Sequence, residues 1–273
     1  MKILIIDRDE VTSNLIKSRF LPLGHTVEIQ AGRGENFDAV LAQGWDMIFF
    51  DPSPLQIVKT TLMSMRRAVR RSVYMVLISE SLTLVDALAA GFNGFLHKPT
   101  NTEDVMATLD CAERLNGIQR VLASTDEDFP SAGGVIAKSA FNQLFLSCLD
   151  RADRYGETAN VIFISFDNYL TVATNDGTYD AEMVSAKLAQ KLVGMRRQSD
   201  IIAQIRKNEY ALLLLRPMTD AEPIDAAHRF LESLAKCNDL PTNPIMDVNI
   251  RVSLMAMPSG HTPVDHTVTL RQQ

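Results

Sequence analysis

The stretch WDMIFFDPSP, residues 45–54, decides how the chain is read. Four consecutive apolar residues, Met47–Phe50, stop at the carboxylate of Asp51, and chain-turning prolines follow at once. A short apolar run bounded by turn residues predicts a strand buried on both faces. An acid where such a strand ends lies at the carboxyl edge of a parallel sheet, where open α/β folds carry their chemistry. Asp51 is therefore the first candidate functional residue.

Working outward, the same pattern repeats. Residues 2–6 predict a buried strand with Asp7, Arg8, Asp9 and Glu10 just past its end. Residues 27–30, 73–78 (ending at Ser79) and 94–96 (closed by Lys98-Pro99) predict three more strands. Helical spacing of apolar residues predicts helices over 11–21, 36–43, 60–71, 82–90 and 103–115, the last capped by Thr102. Alternating strands and helices with short joins predict an α/β domain, a doubly wound parallel sheet. Its strand ends bring Asp7, Asp51, Ser79 and Lys98 to one edge. Arg66, Arg67, Arg70 and Arg71 share one helix flank and read as a solvated face.

Residues 117–134 hold an acidic, turn-rich stretch, STDEDFPSAGG, that predicts a linker. Beyond it come an amphipathic helix over 139–155, a strand over 160–166, a long helix over 180–196, strands over 201–205 and 210–215, a helix over 222–235 and a strand over 248–257. Two strands joined by the tight turn 206–209 predict a hairpin in a mixed or antiparallel sheet, hence an α+β class. The domains are then 1–116, a linker over 117–134, and 135–273, whose last residues after Met257 read as a polar tail.

Composition narrows the function. A net charge of −6 and a pI near 5.4 argue against a general polyanion binder, and no helix-turn-helix pattern or aromatic interleaving points to nucleic acid. Cys111, Cys148 and Cys237 and the five histidines lack metal-ligand spacing, and the cysteines read as reduced thiols. With no stretch fit for a signal peptide or a membrane span, the expected location is cytoplasmic, without membrane insertion.

ILIIDRDE, WDMIFFD, VLISE and AGFNGFLHKP together resemble the receiver domain of bacterial response regulators. The resemblance implies Asp51 as phosphoacceptor, Ser79 as switch hydroxyl, Lys98 as the cation that pairs with the phosphoryl group, and Asp7 in an acidic pocket. In that chemistry a carboxylate nucleophile takes a phosphoryl group while Mg²⁺ neutralises the developing charge. Asp7 and Asp51 would be its metal ligands. The implied partners are a histidine kinase or phosphotransfer protein and a target protein, with a homodimer through the face after the fourth strand. One position departs: where the family places a second acid, this chain has Arg8, which cannot ligate Mg²⁺ and could itself pair with Asp51. Two readings stay open, Asp9 substituting as ligand or an inactive pocket.

In the second half VIFISFD, AEMVSAKLAQKLVGMRRQSDIIAQIRKNEYALLLL and NIRVSLMAM resemble the GGDEF domain, which makes cyclic di-GMP. The signature turn reads Arg206-Lys207-Asn208-Glu209-Tyr210. Both glycines carry cationic side chains, Asn208 replaces the metal-binding acid of the turn, and Ser165 replaces its partner acid. Ala173 stands where an asparagine would read guanine, while Glu182 is a conservative match. The resemblance therefore implies an inactive cyclase domain, because neutral groups leave Mg²⁺ without charge-neutralising ligands. Arg197-Gln198-Ser199-Asp200 retains the family's product-binding Arg-x-x-Asp, with Arg229 near its second arginine. The expected function is a non-catalytic response regulator. The rivals are a cyclic di-GMP effector using Arg197, Asp200 and Arg229, a working cyclase, and a phosphorylation-independent scaffold.

Overall fold

Met47–Phe50 is β3, and none of its four residues reaches solvent. It lies in the middle of a five-stranded sheet built from β1 (Lys2–Ile6), β2 (Thr26–Gln30), β4 (Tyr74–Ser79) and β5 (Gly94–His97). The order is β2-β1-β3-β4-β5, and the pairs β1/β2, β1/β3, β3/β4 and β4/β5 are parallel, the arrangement shared by flavodoxin and CheY. Strands buried on both faces need helices on both sides, and α1 (Glu10–Phe20), α2 (Phe37–Leu41), α3 (Val58–Ala68), α4 (Leu84–Ala90) and α5 (Thr102–Ala123) alternate with them.

The computed structural model describes residues 1–32, 37–53, 58–69, 73–129, 133–215, 217, 219 and 221–272. It divides into two compact units. The first comprises Met1–Ile118, Ser147–Thr158 and Met257–Gly260, and the second Gln119–Leu146, Ala159–Ala256 and His261–Gln273.

In the first unit Trp45, Leu4, Ile48, Phe50, Leu62, Met75 and Phe92 form one buried cluster, each large side chain worth about 1.5–3 kcal/mol on burial. Local signals fix the helix ends. Asp9 caps α1 by accepting from Val11 N. Thr83 and Asp86 form a reciprocal capping box at α4, and Gly91 ends that helix with φ of 99°, a conformation open to glycine. The cap of α5 is Asn101 and not Thr102: its Oδ1 accepts Asp104 N at 2.8 Å, and Thr102 is already helical. Helix α5 runs on to Ala123, so residues 117–123 of the stretch read as linker are helical. No proline or positive-φ glycine interrupts it, and Leu122 is buried.

The basic flank needs correcting at Arg66. Its side chain is 9% exposed and pairs with Asp153 at 3.0 Å within the same unit. It also donates to the carbonyls of Val73 (2.6 Å) and Gly91 (3.1 Å) and to Asn93 Oδ1 (2.8 Å). A buried guanidinium needs such partners, and the helix-flank pattern does not reveal them. Arg67 is exposed, whereas Arg70 and Arg71 lie outside the described residues.

The second unit holds a sheet of order β10-β9-β6-β8-β7, from β6 (Ala159–Phe166), β7 (Ile201–Arg206), β8 (Glu209–Leu214), β9 (Val248–Met257) and β10 (Val264–Leu270). The pairs β6/β8, β7/β8 and β9/β10 are antiparallel. Ile162, Ile164, Phe166, Tyr210, Leu212, Ile250 and Val252 bury one sheet face against α7 (Tyr169–Asn175), α8 (Thr178–Met195) and α9 (Glu222–Leu234). Helix α6 (Lys138–Tyr155) buries Phe141, Phe145, Leu149 and Ala152 at helical spacing. The residues after Met257 are not a polar tail: β10 pairs with β9 from Val264 to Leu270. Only its end residues Val264 and Leu270 are buried, so its polar middle hides the strand in a reading of hydropathy.

Candidate functional site

In the first unit the carboxyl ends of β1, β3 and β5 deliver Asp7, Asp51 and Lys98 to one place. Backbone bonds seat the acids: Asp7 N donates to Gln30 O at 3.0 Å and Asp51 N to Ile6 O at 2.9 Å. Lys98 Nζ bonds Asp7 Oδ1 at 2.9 Å and also Asp51 Oδ2, and all three side chains are at most 9% exposed. Ser79 is buried beside them in sequence order of the strands, its carbonyl accepting Lys98 N at 3.0 Å. Its Oγ accepts Ser81 N at 3.2 Å and Leu82 N at 3.3 Å.

Burial pushes the Asp7 carboxyl above the usual carboxylate range, against the Asp9 amide and Lys98. Burial also opposes charge on Asp51, but the bonds from Lys98 and Ser53 outweigh it and hold Asp51 below that range. The two carboxylates likewise outweigh the burial of Lys98 and raise its pKa. The Asp51 carboxylate is thus held toward its anionic form, with an ammonium in hydrogen-bond contact.

These residues do not fit a divalent cation. Asp7 Oδ2 is buried without a hydrogen bond and could ligate. Where a second acid would stand, however, the chain has Arg8, exposed and close to Gly32. Asp9 stands at the rim of the pocket, its Oδ2 4.0 Å from Lys98 Nζ, and its oxygens cap α1, accepting Val11 N at 3.0 Å and Thr12 Oγ1 at 2.6 Å. Among the described residues no group of three His, Cys, Asp or Glu side chains could hold a metal ion. Arg8→Asp is expected to create the missing carboxylate: millimolar Mg²⁺ then raises the thermal midpoint of the variant and leaves the wild type unmoved.

The β7–β8 hairpin carries Arg206, Lys207, Asn208, Glu209 and Tyr210. Asn208 Nδ2 donates to Phe166 O at 3.0 Å, and Phe166 N donates to Asn208 O at 2.8 Å, so the turn is bonded both ways to the end of β6. Ser165 Oγ donates to Asp167. Glu209 has a side chain 13% exposed and bonds Arg206 at 2.6 Å. Burial raises its pKa, against the pull of Arg206. Tyr210 OH donates to Ser185 O at 2.9 Å, and Ser185 Oγ donates to Lys207 O at 2.6 Å, tying the turn to α8. Burial raises the Tyr210 pKa. Glu182, Lys207 and Tyr210 share a cavity of about 470 Å³ with Tyr169, Ala186 and Val193. Ala173 does not line it and packs against the core.

Arg197, Asp200 and Arg229 also come together, around a cavity of only about 20 Å³. Asp200 is 5% exposed and its Oδ2 accepts Arg197 N at 3.2 Å. The Arg197 guanidinium is paired with Glu222, the first residue of α9. Sequence reasoning missed Glu222, Ser185 and Asp167. For Glu222 no local signal exists, since its partner is 25 residues away. Asp167 stood in plain view at the end of its strand.

A search of curated proteins finds no match. Among solved structures, a two-component response regulator from Clostridium difficile is 22% identical, covers 42% of this chain and 96% of its own, and gives a TM-score of 0.37. The GGDEF domain of TpbB (YfiN) from Pseudomonas aeruginosa is 21% identical over 44% of this chain and 70% of that one, with a TM-score of 0.37. Chemotaxis protein CheY4 of Vibrio cholerae is 21% identical over 40% of this chain and 94% of its own, with a TM-score of 0.34. The family described as diguanylate cyclase, GGDEF domain, matches residues 131–269, just over half of the chain. The protein therefore belongs to the GGDEF family, with a doubly wound parallel α/β unit ahead of its GGDEF domain.

Proposed function

We propose that this protein is a signalling protein of the two-component type whose GGDEF domain makes no cyclic dinucleotide and whose output is a change in protein contacts. The observation that carries this reading is the Asn208 amide bonded to Phe166 O at 3.0 Å. An amide proton donor stands where the resembled family has a metal-binding acid, and Ser165 adds no charge beside it. Input falls to Asp51, whose oxygen would attack phosphorus in a phosphohistidine or acyl phosphate as the donor's P–N or P–O bond breaks and imidazole or a carboxylate leaves, while Lys98 neutralises the charge gained. Phosphorylation would draw Lys98 from Asp7 toward the new oxygens and engage Ser79, biasing the surface around β4 and α4. A histidine kinase or phosphotransfer protein is the donor this reading requires.

Acetyl phosphate tests it. The wild type is expected to gain one phosphoryl group by intact mass, equally with Mg²⁺ or EDTA, and Asp51→Asn none. Equal or absent labelling in both proteins favours a phosphorylation-independent scaffold instead.

A second reading is favoured by the meeting of Arg197, Asp200 and Arg229 at one cavity. Guanidinium groups bond phosphodiester oxygens and stack on bases, and a carboxylate accepts from a guanine edge. On this reading the second unit senses cyclic di-GMP.

A further inference from the structure

Arg197 is the one group of this cluster that a phosphodiester anion would need first, and a carboxylate of the chain itself already holds it. Glu222 comes from the first turn of α9, and it lines the same small cavity as Arg197, Asp200 and Arg229. Its side chain is 21% exposed against 54% for Arg197, so the carboxylate sits on the inner side of the pair. Asp200 cannot take its place: it is buried and committed to the Arg197 backbone amide. The cavity left between them, about 20 Å³, has room for about one water and for no nucleotide. Leu214, Leu215, Pro217, Pro223 and Ala226 line the rest of the cavity, and the Glu222 carboxylate fills the position on Arg197 that an entering anion would take.

We propose that Glu222 is an internal competitor for this site: its carboxylate occupies the anion position on Arg197, and a ligand with phosphodiester anions binds by displacing it. This inference rests on the second reading above, that the site takes such a ligand. Displacement requires only a side-chain rotation in the first turn of α9, not a rearrangement of the sheet. What is lost is a half-exposed ion pair, so the competitor weakens binding without abolishing it.

Cyclic di-GMP is the probe, titrated calorimetrically into the full-length wild type, Glu222→Gln, Arg197→Ala and the double variant. Glu222→Gln keeps the side-chain shape and removes the charge. The expected result is binding about fivefold tighter in Glu222→Gln than in wild type. Arg197→Ala and the double variant should lose binding. If wild type binds, Arg197→Ala does not, and Glu222→Gln matches wild type, the competitor is overturned while the site survives. If no protein binds, or Arg197→Ala binds like wild type, the site itself is overturned. Circular dichroism of each variant confirms that loss of binding is not loss of fold.

Discussion

Replacing Lys98 with methionine is expected to lower unfolding stability by about 3–5 kcal/mol at neutral pH, because it strips the cation from two buried carboxylates. Lys98, Asp7 and Asp51 have side chains 9%, 1% and 9% exposed, so solvent cannot screen the acids once the ammonium has gone. Methionine keeps most of the volume and so isolates the charge. The sign of the pH dependence follows from the pKa directions. In the wild type Asp51 lies below its unfolded value, so it contributes stability that is present above the unfolded pKa and lost as pH falls through the folded one. In the variant only the Ser53 bonds still oppose burial at Asp51, so its pKa rises from its wild-type position, and Asp7, already raised, rises further. An acid raised in the folded state penalises folding at neutral pH, and the penalty disappears as pH falls through the raised value. The gap between wild type and variant therefore narrows on acidification. Urea unfolding at neutral and mildly acid pH, followed by the fluorescence of the single tryptophan, Trp45, measures it in the core of the first unit. A gap below about 1 kcal/mol, or one that ignores pH, would mean that Lys98 behaves as a solvated surface cation.

Much of the first unit is legible in the sequence because its strands are continuous apolar runs. Residues 47–50 and 2–6 match β3 and β1 end to end, and the other strands differ by one residue at either end. Asp7, Asp51 and Lys98 were found by the same logic, since a parallel sheet gathers its strand ends at one edge. The second unit reads less completely. β10 alternates too weakly for hydropathy to reveal it, and α7 fits no long periodic run. Arg66 shows the general limit: a helix-flank pattern tells which residues are neighbours on a helix, not which carbonyls and carboxylates fold onto them. Glu222 is the same case at a candidate site. Pairings across 25 residues or more depend on tertiary placement that no local spacing encodes.

The second large expectation is all-or-none: the GGDEF domain is expected to form no cyclic di-GMP from GTP. Cyclisation needs the triphosphate brought against the hairpin backbone and a divalent cation to carry its charge. Arg206 and Lys207 place long side chains where the resembled family has glycines, and any Cβ restricts such an approach. Asn208 spends its amide protons on the end of β6 and Ser165 its hydroxyl on Asp167. Glu209 is the one carboxylate of the turn, and Arg206 neutralises it at 2.6 Å. A cleft with that inventory is expected to bind no metal–triphosphate complex in a reactive pose. The decisive measurement is incubation of the purified full-length protein with GTP and Mg²⁺ or Mn²⁺, with products separated by chromatography. The account predicts no cyclic di-GMP above the protein-free control after prolonged incubation, and cyclic di-GMP that accumulates in proportion to protein concentration would contradict it.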